Sequence, residues 1–159
     1  MSILIHKANR DDCKLIHRMQ ISSFRTLLGK YQDYDMSPGN ETIQQIYRRF
    51  DQPFTDYHLI KNDDKVVGAI RIIRNEKEGI CRVSPVFILP QYQGQGIAQQ
   101  VFYLIEKYYD WANKWKLDTI LQEQGNCYLY EKMGYKKTGK EEKVNDKMTI
   151  VYYEKDIEN

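Results

Sequence analysis

The chain has 159 residues, 24 of them basic and 22 acidic, with a net charge of +2 and 42% hydrophobic residues. This suits one domain, residues 1–159, with a single core; the two signs of charge are interspersed, which argues against nucleic acid, and no apolar run approaches the roughly 18 residues of a membrane span. The apolar start at Met1 is too short for a signal peptide, while Cys13, Cys81 and Cys127, like His6, His17 and His58, lack disulfide or metal-ligand spacing, so a cytoplasmic protein with free thiols and no metal is expected.

In chain order, a strand is predicted near 2–7. A helix over about 10–28 follows, capped by Asn9 with Asp12 at the third position of a capping box. A polar loop rich in Tyr and Asp, residues 30–39, breaks the periodicity before a short helix near 40–50. Strands near 55–61, 65–74 and 79–89, joined by turn-rich segments, are expected to form an antiparallel meander. Pro85 in the third of them cannot donate to a ladder and marks a bulge or a locally unpaired stretch.

The next helix carries Ile97, Val101, Leu104, Ile105, Tyr108, Ala112 and Trp115 at helical spacing, an apolar face for the sheet. Residues 117–122, LDTILQ, read as a parallel partner strand completing a crossover. A short helix containing Asn126 ends at Gly134, and two strands near 135–140 and 147–154 close a hairpin.

Residues 86–100, VFILPQYQGQGIAQQ, join a strand to a glycine-punctuated turn and a helix. Gly94 and Gly96 allow close backbone approach, and the free N–H groups of the first helical turn favour an anion such as a pyrophosphate. The dinucleotide pattern G-x-G-x-x-G fails because its third glycine position is Gln99, which leaves a nicotinamide or nucleotide enzyme remote. The pattern Gln91-x-x-Gly94-x-Gly96 instead resembles the acyl-CoA signature of the GNAT superfamily of N-acyltransferases. Residues 126–135, NCYLYEKMGY, resemble its second hallmark; Asn126 and Tyr130, four apart, leave one helix face together.

The resemblance implies an α/β (α+β) fold: a mixed, mostly antiparallel sheet of about seven strands, flanked by about four helices, with a splayed parallel strand pair at the CoA site. It implies acetyl-CoA as co-substrate. Backbone groups at Phe87, Ile88 and Leu89 would meet the pantetheine arm, and Gln93, Gly94, Gln95, Gly96, Ile97 and Ala98 the pyrophosphate, with Asn126 also binding the cofactor and the Tyr130 hydroxyl beside the CoA sulfur. Tyr130 is the expected general acid toward the leaving thiolate, and N–H groups near Ile88 would polarise the thioester carbonyl.

Some members of the superfamily carry a Glu on the strand before the cradle, but CRVSPVFIL offers only Arg82 and Ser84. Glu123, just after the partner strand, is the expected base, with Asp33, Asp35 and His58 open through water. Tyr31, Asp33, Tyr34 and Asp35 form an expected acceptor wall, in which carboxylates and aromatic faces suit a cationic amine, polyamine-like or aminoglycoside-like. The acceptor is therefore a small-molecule amine or a protein amino group. A degenerate domain that binds CoA as a sensor without turnover stands as the alternative. The 13 tyrosines serve equally a homodimer face or sheet packing.

Overall fold

The computed structural model describes residues 1–158, and in it seven strands form one sheet. They are β1 (Ile3–Lys7), β2 (Thr55–Asn62), β3 (Lys65–Asn75), β4 (Ile80–Ile88), β5 (Lys114–Ile120), β6 (Lys136–Asn145) and β7 (Met148–Asp156), in the order β1-β2-β3-β4-β5-β7-β6. Every neighbouring pair is antiparallel except β4 and β5. Helices α1 (Cys13–Tyr31) and α2 (Ile43–Phe50) pack on one face of the sheet; α3 (Ile97–Tyr108) and α4 (Gln124–Lys132) pack on the other. The mixed α/β architecture is the one the sequence motifs imply.

Local chemistry accounts for the boundaries. Asn9 accepts from the Asp11 N–H and Asp12 reaches back to the Asn9 N–H, a reciprocal cap on the 3-10 turn that leads into α1. Thr42 and Gln45 repeat this device at the start of α2, so that helix begins later than the pattern from residue 40 suggests. Helix α1 runs on to Tyr31, which places Tyr31 on a helix rather than in the loop.

The largest boundary difference is at α3. It ends at Tyr108, so Ala112 and Trp115 do not continue its apolar face; Trp115 belongs to β5. The buried face of the helix is Ile97, Val101, Phe102 and Ile105, each worth about 1.5–3 kcal/mol on burial. Trp115 itself is fully buried against this helix from the sheet side.

Two irregularities shape the centre of the sheet. Between the pairs Ile70↔Val86 and Ile72↔Val83, Arg71 faces both Ser84 and Pro85, so β4 bulges at the proline as expected. The buried Arg71 guanidinium donates from Nη1 to the Ser84 carbonyl at 3.0 Å and from Nη2 to Gln52 at 3.1 Å, holding the bulge from the α1 side. At Gly68, any Cβ would run into the Phe87 carbonyl, so only glycine lets β3 pass the end of β4 this closely.

Candidate active site

Strands β4 and β5 pair only at Ile80↔Lys114, Cys81↔Trp115 and Arg82↔Lys116. Beyond Arg82 they part, and a cavity of about 270 Å³ occupies the opening. Its walls are Val83–Val86 of β4, Leu117–Ile120 of β5, Asn126 and Tyr130 of α4, and Met148, Ile150 and Tyr152 of β7. Phe24 and Leu27 of α1 close it with Asp33 and the segment Met36–Pro38. The bulge at Pro85 thus sits on the wall of the opening.

The Tyr130 ring is wedged among Phe102, Tyr135 and Tyr153, with ring centroids 5.7–6.2 Å away. Among the described residues its hydroxyl has no hydrogen-bond partner, and the residue lines the cavity. Burial, and then the Asp118 charge, push the phenol up to about 12. The group therefore stays protonated at neutral pH and is available as a donor. Glu131, one position on, accepts from Tyr153 Oη at 2.6 Å, which ties α4 to β7.

The cradle residues lie at the other end of β4. Gly94 and Gly96 have φ of +76° and +78°, left-handed conformations open to glycine, and Gly96 caps α3. A Cβ at either position would meet nothing within 4 Å, so the backbone there is bare to an incoming ligand. From 83 to 105 the chain carries no charged side chain, leaving helix-start amides and dipole as the attraction for an anion. Ile97 is buried under the turn and Ala98 half-buried, while Gln95 is exposed. Gln93 donates to the Ile88 carbonyl at 2.8 Å, folding the turn back onto the end of β4. Phe87 is buried toward α1, Ile88 toward α3, and the Leu89 N–H bonds to Val67.

Of the acceptor-wall residues, only Asp33 reaches the cavity. It is 9% exposed, makes no ion pair among the described residues, and burial raises its carboxyl above the ordinary carboxylate range. Tyr34 and Asp35 are exposed and lie outside the lining. Tyr31 is buried, and its hydroxyl donates to Glu123 at 2.5 Å; Lys30 adds a second bond at 2.8 Å. Those two donors hold the Glu123 carboxyl below its usual range. Glu123 does not line the cavity.

His58 is fully buried on the α3 side of β2, away from the opening. Tyr109 Oη donates to Asp56 at 2.7 Å, so it must accept from His58 Nε2, 2.6 Å away. Burial lowers the imidazole to about 4, so at neutral pH it is uncharged with its proton on Nε2.

Sequence reasoning missed Asp118 and Tyr152. Asp118 is the sole acid in LDTILQ, read there only as a parallel partner strand, and it stands two residues past the last β4–β5 pair. That position carried a usable signal. Tyr152, in β7, is brought beside Asp118 only by strand pairing.

Residues 28–157 match the family model described as an acetyltransferase (GNAT) domain. A search of curated proteins gave no match to the chain. Among solved structures, an acetyltransferase from Thermus thermophilus aligns at 14% identity and TM-score 0.77, covering 99% of this chain and 98% of its own. A spermidine N-acetyltransferase from Vibrio cholerae, solved with CoA and spermine, aligns at 16% identity and TM-score 0.75, covering 96% and 94%. An acetyltransferase from Salmonella typhimurium that modifies the N-terminal serine of ribosomal protein L7/L12 aligns at 14% and 0.77, covering 99% and 96%.

Proposed function

Because the chain belongs to the GNAT acetyltransferase family, we propose that it transfers an acetyl group from acetyl-CoA to a primary amine by direct attack, with Tyr130 as the general acid. The observation that carries this reading is the Tyr130 hydroxyl, borne on a buried ring and without a protein partner among the described residues, on the wall of the opening between β4 and β5. Acetyl-CoA fits the bare cradle at Gly94 and Gly96, and brings the thioester that the amine attacks. Phe87 to Leu89 offer the strand edge along which the pantetheine arm would lie, and Asn126 shares the cavity wall with Tyr130.

A site that stabilised phenolate would bring the Tyr130 phenol closer to a thiol in acidity. Burial and Asp118 do the opposite, so Tyr130 acts by donating its hydrogen bond to sulfur as negative charge gathers there, with full transfer only as the thiolate leaves.

The acceptor we favour is a small aliphatic di- or polyamine. A nearly buried carboxylate with no protein cation is costly until a cation meets it, and Asp33 is such a group in a cavity whose lining also includes the apolar side chains of Leu27, Met36, Met148 and Ile150. One ammonium held at Asp33 leaves a second nitrogen free to face the thioester. Glu123, with both its donors supplied by α1, serves as a tether between α1 and α4.

The test is titration calorimetry with acetyl-CoA, with NADH as control and Gly94→Trp to block the cradle, followed by thiol release with polyamines, aminoglycosides and a peptide amine. Micromolar acetyl-CoA binding lost in Gly94→Trp, with release on a polyamine, supports the reading. Binding without turnover on any amine favours a CoA sensor instead.

A further inference from the structure

We infer that Asp118 is the general base of the transfer and works as a coupled pair with Tyr130 in the opening between β4 and β5. This rests on the acyltransferase reading above and names the group that reading lacks. Asp118 is the only carboxylate besides Asp33 that lines the cavity holding Tyr130. It stands two residues past Lys116, the last β5 residue paired to β4, where the sheet first opens. Its Oδ2 accepts from Arg82 Nη1 at 3.3 Å; Oδ1 is left free for a proton among the described residues. The side chain keeps 37% of its surface open, an exit for that proton to solvent.

Each neighbour has a role in setting the proton affinity. Arg82 faces the carboxylate from β4, and Lys140 and Glu142 face it from β6. Tyr152 pairs with it on β7, donating its own proton to Glu142 at 2.9 Å with the Lys140 ammonium 4.4 Å above its ring. Tyr130 approaches from α4 and Asp33 lies across the cavity; α1 contributes only Phe24 and Leu27. Partial burial, with Glu142 adding to it, raises Asp118 above the ordinary carboxylate range against the pull of Arg82 and Lys140, the direction that favours a base. Asp33 lacks this solvent route and has no cation beside it, which suits it to holding an ammonium rather than to turning protons over.

The proton count closes. An acceptor arriving as R–NH₃⁺ gives one proton to Asp118, which passes it to solvent. The nitrogen lone pair then forms the C–N bond at the thioester carbonyl, and the C–S bond breaks with its electrons on sulfur. The nitrogen sheds its second proton to Asp118 and Tyr130 protonates the thiolate; Asp118 and Tyr130 are reset through solvent, for a net release of one proton per amide. Coupling follows from charge alone: ionised Asp118 disfavours the phenolate, and protonated Asp118 no longer does. Taking the proton from nitrogen thus makes Tyr130 a better acid at the moment sulfur needs one.

The experiment pairs wild type with Asp118→Asn, which keeps shape and loses basicity. With acetyl-CoA and whichever amine wild type accepts, kcat/KM is expected to fall about 100-fold or more at neutral pH. The deficit should narrow as pH rises and free amine becomes abundant, while acetyl-CoA affinity by calorimetry is unchanged. Independently of turnover, NMR of tyrosine-ring-labelled protein, with Tyr130 assigned through Tyr130→Phe, should show the Tyr130 titration moving to lower pH in Asp118→Asn. Wild-type turnover with a variant within about threefold at every pH overturns the base while leaving the acyltransferase reading intact. An unmoved Tyr130 titration overturns the coupling. A wild type that binds acetyl-CoA and acetylates nothing overturns both the reading and the base.

Discussion

Arg82 and Asp118 bridge the two parted strands, Nη1 to Oδ2 at 3.3 Å, at the point where the sheet stops being continuous. The ion pair holds the carboxylate against the rise that burial imposes. Replacing Arg82 with Gln removes the cation and so raises Asp118 further. A reaction that needs ionised Asp118 then loses its base at a higher pH on the way down. The acid limb of kcat/KM against pH is expected to move to higher pH in Arg82→Gln, with the alkaline limb little changed.

Tyr130→Phe should separate chemistry from binding. The hydroxyl has no protein partner among the described residues, so its removal orphans nothing; melting temperature and acetyl-CoA affinity should stay near wild type. Turnover is expected to fall by about 100- to 10,000-fold. Equal loss of affinity and turnover would point to a packing role for the ring instead.

Glu123→Gln addresses the carboxylate that sequence reasoning favoured. Outside the cavity and bound by Lys30 and Tyr31, it should keep turnover within a few-fold of wild type. Its folded pKa is depressed, so its contribution to stability is present above the unfolded carboxylate value and lost as pH falls through the folded one. Denaturant titrations should show wild type losing more stability than Glu123→Gln as the pH drops below that unfolded value.

The buried His58 gives a second pH signature with the same sign. Its folded pKa is about 4 against 6.5 unfolded, so the unfolded chain binds more protons between those values and stability falls as pH is lowered through them. The loss is on the order of 3 kcal/mol. Tyr109→Phe, which takes a hydrogen bond from both His58 and Asp56, should cost about 1–3 kcal/mol at neutral pH in urea denaturation.

Gly68→Ala tests the close passage of β3 by β4. The new Cβ would meet backbone rather than a yielding side chain, so the strands must shift. A cost of about 1–3 kcal/mol is expected, read as a melting temperature lower by several degrees. An unshifted melting curve would mean that β4 relaxes freely at Phe87.

Much was legible in the chain because local rules wrote it there. The Asn9 and Asp12 cap, the glycines at 94 and 96, and the Asn126 and Tyr130 face each depend on residues a few positions apart, and the irregularity at Pro85 on the N–H that proline lacks. The end of α3 was hidden because Ala112 and Trp115 happen to continue its apolar period while their burial comes from the sheet. Which acids line the cavity was decided only by tertiary structure. Glu123 and Asp118 are five residues apart and equally acidic in sequence, yet α1 brings Lys30 and Tyr31 to the first, while the divergence of β4 from β5 opens a cavity beside the second. A carboxylate's chemistry is set by the charges, donors and water within a few ångströms of it, and those neighbours come from elements tens of residues away.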